Sequence, residues 1–197
     1  VQGRQFKNLL SQYFKKKIKI VGALRYDLTV FKSLKSNKKN TRKILVCTSI
    51  GDEEMLLNYI NNLKDKNYHF ILCPHPYVKT ATEKLFKKNL NEKVNLYTSN
   101  KRAFDLLNEV DFVLCGLSSL AFEAMLCNKQ SGRVMDPNYQ YIYDLNDGTK
   151  VLKNYQEIPK LKIKNIKKKY ISKSKYLFFK LDNKTYKRFW KYLNSIK

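Results

Sequence analysis

The chain has 197 residues, of which 43% are hydrophobic, so it is long enough for one domain with a buried core and additional segments. No apolar run approaches the ~18 residues that a membrane-spanning helix needs, and no signal peptide opens the sequence. The 40 Lys and Arg residues outnumber the 16 Asp and Glu residues, and the formal net charge of +24 favours anionic partners.

This excess of positive charge has two interpretations. A basic surface that neutralises phosphates is typical of nucleic-acid-binding proteins. Here, however, lysines occur along nearly the whole chain rather than in one stripe, and Asn, Ile and Tyr are abundant as well, as expected of a genome rich in A and T. Nucleic acid is therefore not the expected partner. An anionic membrane surface fits better, because each Lys or Arg near anionic lipid contributes about 1 kcal/mol.

In chain order, residues 1–42 are predicted to hold a helix over 1–17, a short strand over 18–22 and a polar loop over 35–41. From residue 43, apolar strand patterns alternate with helical patterns. The predicted strands are 43–48, 68–73, 94–97, 111–115 and 132–135. The predicted helices between them are 51–64, 80–88, 101–109 and 118–127.

Near-continuous apolar strands separated by helices indicate a parallel sheet that is covered on both faces. The sequence therefore predicts a Rossmann-like α/β domain over residues 43–158. Residues 159–197 differ, because lysines crowd 160–175 and aromatic residues follow. Phe189, Trp190 and Leu193 recur at helical spacing, which predicts a basic, aromatic C-terminal helical tail. This tail either packs on a core or attaches to a membrane surface.

The cysteines are predicted to be structural. The chain contains four of them, Cys47, Cys73, Cys115 and Cys127. None forms a CxxC pair and three lie in or at the end of apolar runs, so we expect small buried side chains in a reducing cytosol. A zinc site is not expected, because the spacing is wrong and only two histidines are present.

His75 is the first candidate site residue. It follows the predicted strand 68–73 and lies between two prolines, which restrict the backbone and hold the imidazole at the carboxyl end of the strand. Open α/β sheets bind ligands at that edge. His75 is suited to donate a hydrogen bond to a phosphate or to protonate a leaving phosphate. The other histidine, His69, lies inside the strand and is expected to be a packed core residue.

Residues 116–119 (GLSS) follow the predicted strand 111–115 and form the second candidate element. Ser118 and Ser119 open a helix, either as ordinary capping residues or as part of a phosphate site, and Gly116 allows a ligand to approach the backbone. Glu123 lies one turn further on and is suited to bind ribose hydroxyls. Thr48 and Ser49 follow the first strand and are expected to line the same cleft.

Not every polar cluster is expected to be functional. Residues 52–54 (DEE) are predicted to be a helix start in a favourable position for negative charge. The sequence contains no GxGxxG fingerprint, no P-loop and no Ser/His/Asp order of a triad.

The order strand–Pro-His-Pro, strand–helix, strand–Ser-Ser-xxx-Glu resembles the C-terminal, donor-binding half of a GT-B glycosyltransferase. Bacterial sialyltransferases, polysialyltransferases and Kdo transferases of surface polysaccharide biosynthesis carry such "HP" and "SS" motifs. The resemblance covers roughly residues 43–158. It implies that His75, Ser118 and Ser119 bind the CMP part of a CMP-sugar and that Glu123 is a ribose ligand. It also implies inverting transfer without a metal or other cofactor, to a glycan or glycolipid acceptor.

GT-B enzymes have a second Rossmann-like domain, which usually supplies the general base, and residues 1–42 are too few to form it. We therefore expect a missing N-terminal domain or a partner chain to complete the enzyme, and this chain alone to be inactive. The expected location is the cytoplasm, peripherally at the inner face of the cytoplasmic membrane. Three alternatives stay open: a CDP-polyol phosphotransferase of teichoic-acid type, a UDP-sugar GT-B enzyme or epimerase, and a basic module that binds nucleic acid or membrane surfaces.

Overall fold

The structure is a computed structural model that describes residues 4–15, 18–21, 42–63, 68–135, 149–152, 158 and 184–195. These residues belong to two compact units. The sheet unit contains the described residues from 42 to 158. The terminal unit contains residues 4–15, 18–21 and 184–195. The predicted loop over 35–41 and the lysine-rich stretch 160–175 lie outside the described residues.

Six strands of the sheet unit form one parallel sheet. They are β1 (Arg42–Cys47), β2 (Tyr68–Cys73), β3 (Asn95–Thr98), β4 (Phe112–Cys115), β5 (Gln130–Val134) and β6 (Lys150–Leu152). Their order is β3-β2-β1-β4-β5-β6, and every neighbouring pair is parallel. The chain thus moves outward from β1 in one direction, then crosses to β4 and moves outward in the other, as in a Rossmann-type sheet.

The described helices are α1 (Arg4–Ser11), α2 (Glu53–Asn61), α3 (Lys79–Asn89), α4 (Leu120–Leu126) and α5 (Thr185–Asn194). Two 3₁₀ turns, Pro76–Val78 and Asp105–Asn108, lie in the connections of the sheet unit. α1 and α5 belong to the terminal unit, and α5 confirms the helix predicted around Trp190. None of the helices in the described part of the chain is long and apolar enough to cross a bilayer.

One face of the sheet packs against α2 and α3. Ile44 and Val46 of β1 share a buried core cluster with Leu56 and Ile60 of α2 and with Phe86 of α3. These side chains are at most 1% exposed. Alternate positions along each strand contribute to this face, as strand geometry requires.

On the other face, α4 packs against β4 and β5. The Ser131 hydroxyl donates to the backbone carbonyl of Ala121 in α4 at 2.8 Å. Ser131 precedes Gly132, whose partner in the register, Leu114, belongs to the core cluster on the first face. Because successive side chains point to opposite faces, Ser131 and α4 lie on the second face. The prediction of a parallel sheet with helices on both faces is confirmed.

Two local predictions were wrong, and one strand was missed. Residues 18–21 do not form a strand, and the Val21 carbonyl accepts a hydrogen bond from Arg188 Nε at 2.9 Å rather than from a neighbouring strand. The predicted helix over 101–109 is only the 3₁₀ turn Asp105–Asn108, with backbone hydrogen bonds between residues three apart. In this turn the adjacent side chains of Leu106 and Leu107 are both buried. β6 was not predicted, since three residues carry too little periodicity.

Candidate functional site

The site lies at the carboxyl ends of β1, β2 and β4. The sheet changes its direction of growth between β1 and β4, and ligands of open α/β sheets bind at this switch point. Three connecting segments meet there: residues 48–52 after β1, residues 74–78 after β2 and residues 116–119 after β4. Cys47, Cys73 and Cys115, the last residues of these strands, are aligned in the register, so the three segments begin at the same level of the sheet.

The segment after β2 holds His75 in a defined orientation. His75 has extended backbone angles (φ −61°, ψ 134°), and Pro76 begins a 3₁₀ turn. The His75 backbone N–H donates to Thr48 Oγ1 at 3.2 Å, which ties this segment to the end of β1. His75 Nδ1 accepts the Tyr77 N–H at 3.4 Å, so the neutral ring carries its hydrogen on Nε2. Nε2 is therefore the atom that can donate to a ligand.

The segment after β4 presents two serines. Ser118 Oγ accepts the Leu120 N–H at 3.3 Å, as a residue at a helix start does. Ser119 is the N-cap residue of α4, but its backbone is already helical (φ −64°, ψ −16°) and its hydroxyl makes no capping bond. Both residues are partly buried. The position predicted for the two serines is confirmed, and the Ser119 hydroxyl is not used to cap the helix.

Asp52 joins the segments after β1 and β4. Its Oδ1 accepts the Ser49 N–H at 2.6 Å, and its Oδ2 accepts the Leu117 N–H at 2.9 Å. The side chain fills the space beside Gly116, because a Cβ added there would lie 2.5 Å from Oδ2 and 2.8 Å from the Asp52 Cβ. Asp52 is the N-cap residue of α2, yet its side chain makes no capping bond to that helix.

Burial dominates the electrostatics of Asp52, which is 2% exposed. Burial raises the pKa of Asp52 from its ordinary value of 3.8 to about 6, although the backbone bonds from Leu117 and Ser49 and the charge of Arg133 act in the opposite direction. Arg133 of β5 is fully buried. Its Nη1 donates to the Gly116 carbonyl, and its guanidinium lies 5.1 Å from the centre of the Phe122 ring.

The structure brings most of the predicted site residues together on these three segments: Thr48, Ser49, His75, Gly116, Ser118 and Ser119. Glu123 lies one turn into α4, as expected from the sequence, and is only 6% exposed. His69 is not a core residue, because it is partly exposed and its Nδ1 lies 3.0 Å from Asn95 Nδ2 of β3. It lies near the amino end of β2, at the end of the strand opposite His75.

Sequence reasoning missed Asp52 and Arg133. In the sequence, Asp52 has the position of an ordinary residue at a helix start. Its hydrogen bond with Leu117 spans 65 residues of chain, so no local pattern predicts it. Arg133 had a usable signal, because a charged residue inside a predicted strand of a sheet that is covered on both faces must find buried partners.

The cysteines directly below the site are chemically distinct. Cys47 and Cys115 are buried and Cys73 is partly exposed, and all are free thiols. The Cys47 thiol and the nearby Lys79 lower the pKa of Cys73, whereas burial raises the pKa of Cys47. Within the residues that the structure describes, no group of three or more His, Cys, Asp or Glu side chains could hold a metal ion.

No protein-family model matches the chain, and no curated protein matches it in sequence. Similar solved structures include KpsC, a beta Kdo 2,7 transferase from Thermosulfurimonas dismutans, with 15% identity, a TM-score of 0.46, and coverage of 86% of this chain and 57% of that chain. The wall teichoic acid polymerase TagF has 15% identity and a TM-score of 0.40, with 80% and 38% covered. The C-terminal domain of LpcC, a glycosyl transferase group 1 family protein from Francisella tularensis, has 13% identity and a TM-score of 0.37, with 80% and 94% covered.

This chain thus spans little more than half of the KpsC chain. At such identities and TM-scores the neighbours carry no argument about substrate or reaction. The assignment of the fold rests on the strand order and direction of the sheet. The neighbours are the GT-B glycosyltransferases that the sequence was expected to resemble.

Proposed function

We propose that this chain is the donor-binding domain of a glycosyltransferase that transfers a sugar of sialic acid or Kdo type from a CMP-sugar to a surface glycan acceptor. The observation that supports the proposal is the convergence of the segments that carry Thr48, His75 and Ser118–Ser119 at the switch point of a Rossmann-type sheet, where hydrogen bonds to Thr48 and Asp52 join them. Hydrogen-bond donors on neighbouring strand ends suit a phosphate group, and the +24 charge of the chain favours an anionic donor.

In this proposal the residues have separate tasks. The serine hydroxyls and the His75 Nε2–H donate to the phosphate of CMP. When the bond between the anomeric carbon and the phosphate oxygen breaks, His75 stabilises or protonates the departing phosphate. Glu123 binds the ribose hydroxyls from α4. The acceptor hydroxyl forms the new bond to the anomeric carbon and loses its proton to a general base that we assign to a second domain or a partner chain.

The proposal is tested by calorimetric titration of the chain with CMP, CDP, UMP and UDP at moderate salt. Preferential binding of CMP is the expected result. A preference for CDP would favour polyol-phosphate transfer, and a preference for uridine nucleotides would favour a UDP-sugar enzyme. Binding of nucleic acid that falls steeply with salt, without nucleotide binding, would favour the basic module instead.

His75 provides the sharpest variant, because the chain contains a matched control. His75→Ala removes one hydrogen bond to a charged phosphate and should weaken CMP binding about tenfold or more. His69→Ala removes the other histidine near the opposite end of β2, about 20 Å along the strand, and should leave binding unchanged. Equal CMP affinity of the His75→Ala variant and the parent would show that the site is wrongly assigned.

A membrane surface is a second proposed partner, and α5 supports it. Tyr186, Phe189 and Trp190 are 52%, 41% and 45% exposed on a helix that also carries basic residues. A basic, aromatic helix face suits the boundary of an anionic bilayer. Co-sedimentation with vesicles should require anionic lipid and should decrease in a Trp190→Ser variant. Tyr13→Ser, which changes a 74% exposed aromatic residue elsewhere in the terminal unit, is the control.

A further inference from the structure

The carboxylate of Asp52 is the centre of a hydrogen-bond network that joins the segments of the candidate site. One oxygen accepts the N–H of Ser49 and the other accepts the N–H of Leu117. Thr48, next to Ser49, accepts the N–H of His75, and Leu117 directly precedes Ser118. Through Asp52, the segments that carry the imidazole and the serine hydroxyls are held at fixed positions relative to each other.

The network extends below the site to β5. Arg133 donates to the carbonyl of Gly116, so the Gly116–Leu117 peptide group is held from both sides, by the guanidinium on its carbonyl and by Asp52 on its N–H. The close approach of Asp52 needs glycine at position 116, because a Cβ would overlap its carboxylate. The residues therefore fit together as one unit beneath the loop that leads to Ser118.

Asp52 does not serve α2 in the usual way. The side chain makes no capping bond to the helix that it precedes. A carboxylate with 2% exposure is costly to bury, and two backbone N–H groups are its hydrogen-bond donors. The charged groups that act on it are Glu53 on α2 and Arg133 on β5, and Asp52 in turn acts on Cys47 of β1. A buried charge at a ligand-binding edge suggests a role in organising the site.

We propose that Asp52 is a positioning residue of the donor site, whose carboxylate holds the Ser49 and Leu117 amides so that Thr48, His75, Ser118 and Ser119 face one phosphate. This inference rests on the proposed function and extends it to a residue that does not touch the donor. Asp52 acts through the two backbone segments, and its ionised form accepts both N–H bonds most strongly.

The first test compares Asp52→Asn with a matched variant, Asp111→Asn. Asp111 also bridges β1 and β4, at their amino ends, where its Oδ2 accepts the Lys43 N–H at 3.2 Å. At about pH 7.5, where Asp52 is ionised, Asp52→Asn should weaken CMP binding about tenfold, the loss expected for one charge-assisted hydrogen bond. Asp111→Asn should leave it unchanged. Unchanged affinity in Asp52→Asn, or an equal loss in both variants, would overturn the inference.

The pH dependence adds a readout that a purely structural residue would not affect. The phosphate of CMP also titrates near pH 6, so the informative quantity is the ratio of the two dissociation constants, Asp52→Asn over parent. Burial raises the pKa of Asp52 to about 6. The ratio should therefore be largest above about pH 7 and approach one below about pH 5 as Asp52 takes up its proton. A constant ratio would contradict the proposal.

A second measurement needs neither the Asp52 variant nor a ligand. In a His75→Ala chain, where the imidazole cannot contribute, the amide resonances of Ser49, Leu117 and Ser119 are followed by NMR as the pH is lowered. All three should shift with one common midpoint. A Ser119 amide that does not follow the other two would overturn the inference. If the parent binds no CMP, the proposed function fails, and this titration still decides whether Asp52 positions the loop.

Discussion

Two aspartates bridge the same pair of strands, β1 and β4, at opposite ends of the sheet. At the amino ends, Asp111 Oδ2 accepts the Lys43 N–H at 3.2 Å, and the Asp111 N–H donates to the Lys43 carbonyl at 2.8 Å. At the carboxyl ends, Asp52 accepts two backbone N–H groups at 2.6 and 2.9 Å. The Asp111 residue is partly exposed, whereas Asp52 is 2% exposed.

The difference between these bridges shows how one side-chain type serves two purposes. Asp111 continues the ladder of the sheet by one residue, as the register of β1 and β4 predicts, and water can still reach it. Asp52 lies beyond the ladder, where it connects segments that are no longer paired as strands. The amino-end bridge extends regular structure, and the carboxyl-end bridge shapes irregular structure, which is where ligands bind in this fold.

The largest expected effect is on the pH dependence of stability. Because the pKa of Asp52 is raised from 3.8 to about 6, the folded chain binds this proton more tightly than the unfolded chain. The contribution of Asp52 to the free energy of unfolding is therefore highest below about pH 4 and falls by up to about 3 kcal/mol as the pH rises through 6. Urea denaturation of the parent and of Asp52→Asn at several pH values gives this difference directly. If the difference does not change with pH, Asp52 does not hold a buried charge.

The next largest effect is expected from Ala substitutions at two glycines, which distinguish a loss of stability from a loss of CMP binding. A Cβ at Gly116 would lie 2.5 Å from the carboxylate of Asp52, and a Cβ at Gly132 would lie 2.8 Å from Leu152 and 2.9 Å from Phe112. Each Ala substitution should lower the free energy of unfolding by about 1–3 kcal/mol through overpacking. Gly116→Ala should also abolish CMP binding, whereas Gly132→Ala should retain it. Loss of binding in both variants would mean that binding simply follows stability.

The smallest expected effect is on the rate at which the Cys73 thiol is alkylated. The Cys47 thiol and Lys79 lower the pKa of Cys73, so Cys73 at the carboxyl end should react with iodoacetamide before Cys127, which follows α4 and is 2% exposed. Bound CMP should slow alkylation of Cys73 in proportion to the occupied fraction. Peptide mass spectrometry measures both rates. Faster modification of Cys127 would contradict the lowered pKa of the Cys73 thiol as the reason for its reactivity.

The central strands were predicted from the sequence almost to the residue, because their buried apolar runs are determined by local composition. β2 was predicted with its observed bounds, and the prediction for β1 is displaced by one residue. Two other elements were harder to predict. β6 has three residues, and the segment before β4 buries Leu106 and Leu107 in a 3₁₀ turn rather than along one side of an α-helix.

In the candidate site, too, some residues could be predicted from the sequence and others could not. His75 and the two serines were identifiable because their neighbours in the sequence, prolines and a strand end, already restrict them. Asp52 was assigned to the start of a helix, which is where its backbone lies, but its side chain acts on Leu117, 65 residues away. Contacts between distant segments depend on strand order, and a single sequence does not specify that order residue by residue.

The position of the single tryptophan has a practical consequence. Trp190 lies on α5 in the terminal unit, and its ring packs edge-on against Tyr186 and Phe189. Tryptophan emission therefore reports on the terminal unit, whereas circular dichroism is sensitive to both units. Melting curves recorded by the two methods follow different parts of the molecule, and their coincidence or separation measures how cooperatively the two units unfold.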